Sequence, residues 1–193
     1  GNVVNPDDVV AEYGADSLRL YEMFMGPLEQ VKPWDTRGVA GVRRFLNRVW
    51  RVAIDDRTGK ISDRIQGDTT PKELERSLHR TIKKVSEDTE AMRFNTAIAA
   101  MMELTNQLSK QKQVPRGVLE SLLLLLSPYA PHIAEEIWRR LGHSSSIASE
   151  TWPEFDESLT RAETITVPVQ VNGKVRAKIE VPAEADQETV LAL

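Results

Sequence analysis

The sequence predicts a mainly α-helical fold, in which an antiparallel helical bundle is followed by a β-hairpin. Over most of the chain, apolar residues recur every three or four positions, the spacing of amphipathic helices. The five consecutive leucines at 122–126 cannot form a single apolar stripe, so neighbours must cover them on most sides. We therefore expect them at the centre of the bundle. Near the C-terminus the apolar period falls to two on either side of Asn172 and Gly173, a preferred hairpin turn.

The composition is that of a globular protein without disulfides. The chain has 193 residues, of which 40% are hydrophobic and 28% charged. Its net charge of −4 gives no overall attraction for nucleic acid, so any RNA contact requires a local basic patch. The absence of cysteine removes thiol catalysis and the usual zinc sites and fits an intracellular protein. The lack of cysteine also leads us to expect no metal site. The sequence has no signal peptide and no apolar run approaching the ~20 residues of a membrane span, so we expect a cytoplasmic protein.

Two short helices are predicted at the start of the chain. Asn5 is a good N-cap, and Pro6 suits the first turn of a helix. Gly14 ends this helix, and a second one follows over residues 15–25. We interpret residues 1–35 as a connecting segment.

The next helix, predicted over residues 38–54, has two chemically different faces. With an advance of roughly 100° per residue, its apolar side chains gather on one side and four arginines gather within about 140° on the other. The arginines are Arg43, Arg44, Arg48 and Arg51. A solvated face normally mixes signs, but no acid occurs here before Asp55, so these arginines repel one another unless an anion is bound. Because arginine binds phosphate and stacks on bases, RNA contact is an alternative to a merely solvated face.

A polar loop over residues 57–71 leads to a long helix from Lys72, which carries a second basic face. Its members are Arg76, Arg80, Lys83 and Lys84. This face also contains Glu87, so ordinary solvation is the preferred interpretation and RNA contact the alternative. His79 has no catalytic partner arranged near it in sequence, and His143 has no evident partner.

The rest of the bundle is predicted as three further helices. One covers residues 96–110, and Pro115 opens the leucine helix. That helix must end or bend before Pro128, and a last helix starts at Pro131, because proline lacks the amide donor that a helix interior needs. We assign residues 36–161 to the bundle.

The C-terminal segment, residues 162–193, is predicted to form a hairpin and the start of a helix near Asp186. The alternating apolar residues are Ile165, Val167, Val169 and Val171 on the first strand and Val175, Ala177, Ile179 and Val181 on the second. Lys174, Arg176 and Lys178 then share the opposite face of the second strand. They either contact RNA or form an ordinary wet face that protects the edge.

Several stretches of the chain resemble sequence motifs of a known protein family. Residues 126–138 are similar to the signature of the helical anticodon-binding domain of class I aminoacyl-tRNA synthetases for leucine, isoleucine, valine and methionine. The matching residues are Leu126, Pro128, Tyr129, Ala130, Pro131, His132, Glu135, Glu136 and Trp138. Residues 1–6 and 14–20 resemble the segment that directly follows the Lys-Met-Ser-Lys-Ser loop of these enzymes. Residues 44–51 and 169–176 resemble the leucine enzyme of bacteria, the latter in its small C-terminal α/β domain.

The resemblance implies a C-terminal fragment of a bacterial-type leucyl-tRNA synthetase, with the C-terminal domain truncated. It implies that the parent, a monomer, joins leucine to tRNA(Leu) with ATP and Mg²⁺, while this part binds tRNA backbone and shape beside the catalytic domain. No catalytic residue and no cofactor is expected in the fragment, because the sequence shows no defensible nucleophile, carboxylate pair or phosphate loop. The alternatives are a valyl- or isoleucyl-tRNA synthetase fragment, or a helical scaffold whose arginine face meets an acidic protein surface.

Overall fold

The computed structural model describes residues 3–27, 29–66, 69–161, 164–171 and 174–182, and within the hairpin the side chains of 168, 176, 177, 179 and 181. The helices are α1 Pro6–Tyr13, α2 Ala15–Phe24, α3 Thr36–Ala53, α4 Lys72–Glu90, α5 Phe94–Lys110, α6 Arg116–Leu126, α7 Pro131–Arg140 and α8 Glu157–Thr160. A 3₁₀ turn covers Ile147–Ser149, and the strands are β1 Thr164–Val171 and β2 Lys174–Pro182. The predicted class, a helical bundle followed by a hairpin, is confirmed.

Local capping by a side chain sets the starts of α1 and α3. The Asn5 side chain accepts a hydrogen bond from the N–H of Asp7 at 3.1 Å, as predicted for α1. Asp35 caps α3 in the same way through the N–H of Arg37 at 3.0 Å, so α3 begins at Thr36, two residues earlier than predicted. Helix α5 also begins two residues before its predicted start. The carbonyl of Arg93 accepts the N–H groups of Thr96 and Ala97 in the first turn.

The leucine helix lies at the centre of the core, as predicted. Leu122, Leu123, Leu125 and Leu126 are fully buried, and Leu124 is half-buried. The helix ends at Leu126, and a turn leads to α7 at Pro131. The chain therefore breaks between the two helices at residues 127–130, as expected because Pro128 and Pro131 lack amide donors. We call this break the elbow.

The first two helices share this core with the bundle. Val9, Leu20 and Tyr21 are buried in the same cluster as the bundle residues. The Tyr21 hydroxyl accepts a hydrogen bond from the N–H of Asp35 at 2.7 Å, which ties α2 to the start of α3. A Cβ at Gly38 would lie 2.5 Å from the Tyr21 ring, so only glycine allows α3 to approach α2 this closely.

The turn between α4 and α5 is held by one buried carboxylate. Asp88 accepts hydrogen bonds from Lys84 at 2.6 Å, from Arg93 at 2.9 Å and from the Thr96 hydroxyl at 2.6 Å. Burial raises the pKa of Asp88, but these three contacts outweigh it and hold the pKa below its usual value. The two helices are thereby joined at their adjacent ends.

The segment after α7 is a loop except for the 3₁₀ turn and α8, and it runs back over α4. The indole N–H of Trp152 donates to the Ser86 hydroxyl at 2.7 Å, which attaches this segment to the bundle. The N–H of Asp156 donates to Nδ1 of His79 at 3.0 Å.

The hairpin strands pair antiparallel, with Ile165 opposite Val181. Val169 lies opposite Ala177 while Gln170 lies opposite Val175, so Arg176 is an extra residue in β2. This bulge interrupts the strict alternation that the sequence predicted for β2. The predicted turn at 172–173 and the predicted helix start at Asp186 lie outside the described residues.

Candidate nucleic-acid interface

A row of four exposed arginines lies along the outer face of α3. The inner face of the helix carries Val42, Phe45 and Val49, each fully buried in the core. Burial of this side leaves Arg43, Arg44, Arg48 and Arg51 exposed, as the helical projection predicts. We call these four residues the arginine row.

Two members of the arginine row have partners within the chain. A guanidinium N–H of Arg43 donates to the carbonyl oxygen of Tyr13 at the end of α1. Arg51 pairs with Asp56 at 3.0 Å, but both side chains are more than half exposed, so the pair neutralises little charge. Arg44 and Arg48 make no hydrogen bond or ion pair with any residue that the structure describes. Arg44 and Arg48 are therefore the members of the row whose guanidinium groups are unengaged within the described part of the chain, while all four arginines keep most of their charge.

A groove of about 590 Å³ lies beside the arginine row, between α2, α3 and α7. Its polar lining includes Asp16, Arg43, Asn47, His132 and Glu136, and Trp50 supplies an aromatic wall. Arg43 of the arginine row and His132 of the first turn of α7 thus border one site. We call this site the α3–α7 groove.

Asp16 holds the start of α7 in position at the edge of this groove. Its carboxylate accepts the N–H of Ile133 at 2.8 Å and that of His132 at 3.3 Å, and lies 2.7 Å from Nδ1 of His132. The α7 N-cap residue, Ala130, offers no side-chain acceptor, so α2 supplies the cap from a distant part of the chain. Arg19 adds a hydrogen bond to the carbonyl oxygen of Pro128 at 2.9 Å.

Glu135 in α7 fastens the loop that follows this helix. Glu135 accepts hydrogen bonds from the Ser146 hydroxyl at 2.9 Å and the N–H of Ile147 at 3.0 Å, and pairs with Arg139 at 2.9 Å. The Ser146 hydroxyl, with help from Arg139 and Ile147, holds the pKa of Glu135 below its usual value. Glu135 therefore has a structural role here, although sequence alone shows only its place in the signature.

The second basic face is largely engaged within the chain. Lys83 pairs with Glu157 at 2.7 Å, and Lys84 pairs with Asp88. Arg76 is half-buried and has an interaction within the protein. Arg80 is exposed and makes no contact of this kind with a described residue. These contacts favour the interpretation of a structural, solvated face.

The three basic residues of the hairpin are distributed less regularly than the alternation predicts. Arg176 is exposed and is the bulged residue of β2. Lys174 and Lys178 lie on β2, where Lys174 is opposite Val171 and Lys178 is opposite Pro168.

Sequence reasoning missed the contacts that join distant segments. His143, for which the sequence shows no partner, stacks on Trp138 at a centroid distance of 3.7 Å, and its Nε2 lies 2.7 Å from Glu120. Nothing near His143 in sequence signals this contact, because Glu120 comes from another helix. Among the described residues, no group of three or more acidic or histidine side chains is arranged to hold a metal ion. The described helices include none that is long and apolar enough to cross a membrane.

Comparison with known proteins places this geometry in a family. Residues 71–191 match the family described as the anticodon-binding domain of tRNA ligases. The leucine–tRNA ligase of Rhodopirellula baltica is 56% identical over 187 residues, which are 96% of this chain and 20% of that protein. The leucine–tRNA ligase of Salinispora tropica is 53% identical over 191 residues, 99% of this chain and 20% of that protein.

A solved structure agrees with the sequence relatives. It is the crystal structure of the ternary complex of the agnB2 LeuRS of Agrobacterium radiobacter K84 with tRNA and LeuAMS. It matches all of this chain and 26% of its own, with 38% identity and a TM-score of 0.76. The chain spans about a fifth of the length of the curated relatives it matches. The predicted resemblance to bacterial leucine enzymes is confirmed, and the chain belongs to the family of anticodon-binding domains of tRNA ligases.

Proposed function

We propose that this chain is the tRNA-binding and positioning part of a leucine–tRNA ligase, and that the arginine row is its main electrostatic contact with tRNA(Leu). The observation that carries the proposal is the pair Arg44 and Arg48, exposed on α3 without partners among the described residues. Like charges held on one helix face are unfavourable unless counter-charges approach, and a tRNA backbone supplies one phosphate per nucleotide.

The contact we propose is with backbone and shape. Arginine guanidinium groups on one helix face form bidentate hydrogen bonds with phosphate oxygens, and these bonds position a nucleic acid without reading its bases. Arg43 is already fixed by the Tyr13 carbonyl, so it supports the row near the α3–α7 groove. Arg44 and Arg48 are free to turn toward phosphates.

The remainder of the parent protein supplies the chemistry in this proposal. Relatives of the chain are about five times as long and carry the name leucine–tRNA ligase. We assign the joining of leucine to tRNA, with ATP and Mg²⁺, to that remainder, and place the parent in the cytoplasm as a monomer. Residues 36–161 are then the RNA-binding bundle, 1–35 connects it to the catalytic domain, and 162–193 belongs to a small C-terminal α/β domain.

The experiment is the salt dependence of binding between the 193-residue chain and a tRNA(Leu) transcript. The double variant Arg44→Ala/Arg48→Ala should weaken binding and reduce the slope of log K against log salt by roughly one unit per arginine. The matched control is Arg80→Ala, because Arg80 is also exposed and without a partner among the described residues but lies on α4. It should leave affinity and slope unchanged.

Two results would overturn the assignment. If the double variant binds with unchanged slope, the arginine row does not contact phosphate. If the double variant instead loses association with the separately expressed remainder of the parent while tRNA affinity is kept, the row is a protein interface. Equal losses for Arg80→Ala and the double variant would show that binding is diffuse.

A further inference from the structure

The α3–α7 groove contains polar groups that the fold leaves open. Asn47 is exposed and makes no hydrogen bond with a described residue. His132 uses Nδ1 toward Asp16, so its Nε2 has no partner among the described residues. Glu136 binds Arg140 through one carboxylate oxygen at 2.6 Å, and its second oxygen is open within the described part of the chain. Three side chains from two helices therefore present unused hydrogen-bonding capacity to one groove.

The charges of the groove decide what it can accept. Two carboxylates, Asp16 and Glu136, line it, so a phosphate placed inside would meet like charge at short range. Arg43 lies on the groove wall and the other arginines continue along α3 outside it. The groove thus fits an uncharged hydroxyl-bearing group, while the adjacent helix face fits phosphate.

The hydrogen-bonding groups of the groove indicate which uncharged ligand it can bind. Because Nδ1 of His132 faces the Asp16 carboxylate, Nε2 is the ring atom left for a ligand, and it can hydrogen-bond a hydroxyl group as either partner. The open oxygen of Glu136 is also an acceptor, and Asn47 offers both a donor and an acceptor. A ribose 2′-hydroxyl both donates and accepts, and it lies beside the phosphates in the shallow minor groove of an RNA helix.

We propose that the α3–α7 groove binds the ribose edge of the RNA backbone, with Asn47, His132 and Glu136 hydrogen-bonded to 2′-hydroxyl groups. This inference rests on the proposed function and deepens it, since it gives the site a means to distinguish RNA from DNA. The arginine row holds phosphates of either nucleic acid, whereas the groove responds only to the hydroxyl that DNA lacks.

The test compares two probes of one sequence, a tRNA(Leu) transcript and its all-2′-deoxy counterpart, bound to the 193-residue chain. Asn47→Ala removes no charge, so it should weaken binding of the transcript roughly three- to tenfold, leave the deoxy probe unchanged, and keep the salt slope. Glu136→Ala removes a negative charge, so its test is the ratio of the two affinities: the preference for the transcript should fall, and Glu136→Gln should retain part of it because the amide oxygen still accepts a hydrogen bond.

The arginine variants serve as the contrasting control. Arg44→Ala/Arg48→Ala should weaken both probes alike and lower the salt slope. If the arginine variants behave in this way but Asn47→Ala leaves transcript affinity unchanged, or weakens both probes equally, the groove does not read ribose and the proposed function stands alone. If neither set changes binding, both proposals fall. Unchanged far-ultraviolet circular dichroism of each variant establishes that the comparison concerns folded protein.

Discussion

The carboxylate of Asp16 in α2 caps the first turn of α7 by accepting the N–H of Ile133 at 2.8 Å, across 117 positions of sequence. The segment around Asp16 and the segment around the elbow both resemble synthetase sequences, and they meet at this contact. Arg19 reinforces it through the Pro128 carbonyl. The connecting helices and the bundle are thus joined by specific polar contacts in addition to the shared core.

Replacing Asp16 should therefore destabilise the whole chain. Asp16→Ala removes a helix cap and leaves the N–H of Ile133 without its acceptor, which together cost about 2 kcal/mol in the free energy of unfolding. Urea unfolding followed by circular dichroism measures this. The matched control is Asp7→Ala, an exposed acid in the first turn of α1, which should change stability by less than about 0.5 kcal/mol. Equal effects of the two variants would contradict a special role for Asp16.

Asp88 should make stability depend on pH. Its pKa is lowered in the folded state, so its contribution is present above the unfolded-state value near 3.8 and is lost as pH falls through the lower folded value. Asp88→Asn should cost about 2 kcal/mol at pH 7, where Lys84 and Arg93 lose their charged acceptor.

The pH series is the sharper measurement for Asp88. The difference in unfolding free energy between the parent chain and Asp88→Asn should shrink as pH is lowered from about pH 5. A difference that stays constant down to the acid limit would show that the charge of Asp88 does not matter. Glu90→Gln, an exposed change in the same helix, should stay within about 0.5 kcal/mol at pH 7.

The leucine helix offers a matched pair of core substitutions. Leu122 is fully buried, whereas Leu124 in the same run is half-buried. Leu122→Ala should lower the free energy of unfolding by about 2–5 kcal/mol, because it removes transfer energy and leaves a cavity. Leu124→Ala should cost clearly less, since its site is open to solvent on one side. Similar losses at the two positions would mean that the bundle covers the run evenly.

Local pattern was sufficient for most of the architecture. The leucine run and the arginine row follow from spacing within one helix, the elbow follows from its two prolines, and each is where the sequence places it. Helix starts are predicted less accurately: the Asp35 carboxylate caps α3 at Thr36, whereas the predicted helix begins at residue 38.

Long-range contacts are the part that pattern could not supply. The bond between Asp16 and the start of α7, and the contact of His143 with Glu120 in α6, depend on how separate segments pack. The bulge at Arg176 likewise arises from pairing between strands and not from the alternation within one strand. The α3–α7 groove is a product of such packing, so its lining residues were visible in sequence only one at a time.

The contact between Gly38 and Tyr21 has a consequence for the orientation of the basic surface. A single added carbon at position 38 would displace the Tyr21 ring, and with it the hydroxyl that receives the N–H of Asp35 at the first turn of α3. The angle between α3 and the connecting helices therefore depends on the lack of a side chain at Gly38. If the arginine row binds phosphate as proposed, the direction in which it faces the RNA therefore depends on Gly38, a residue outside the row.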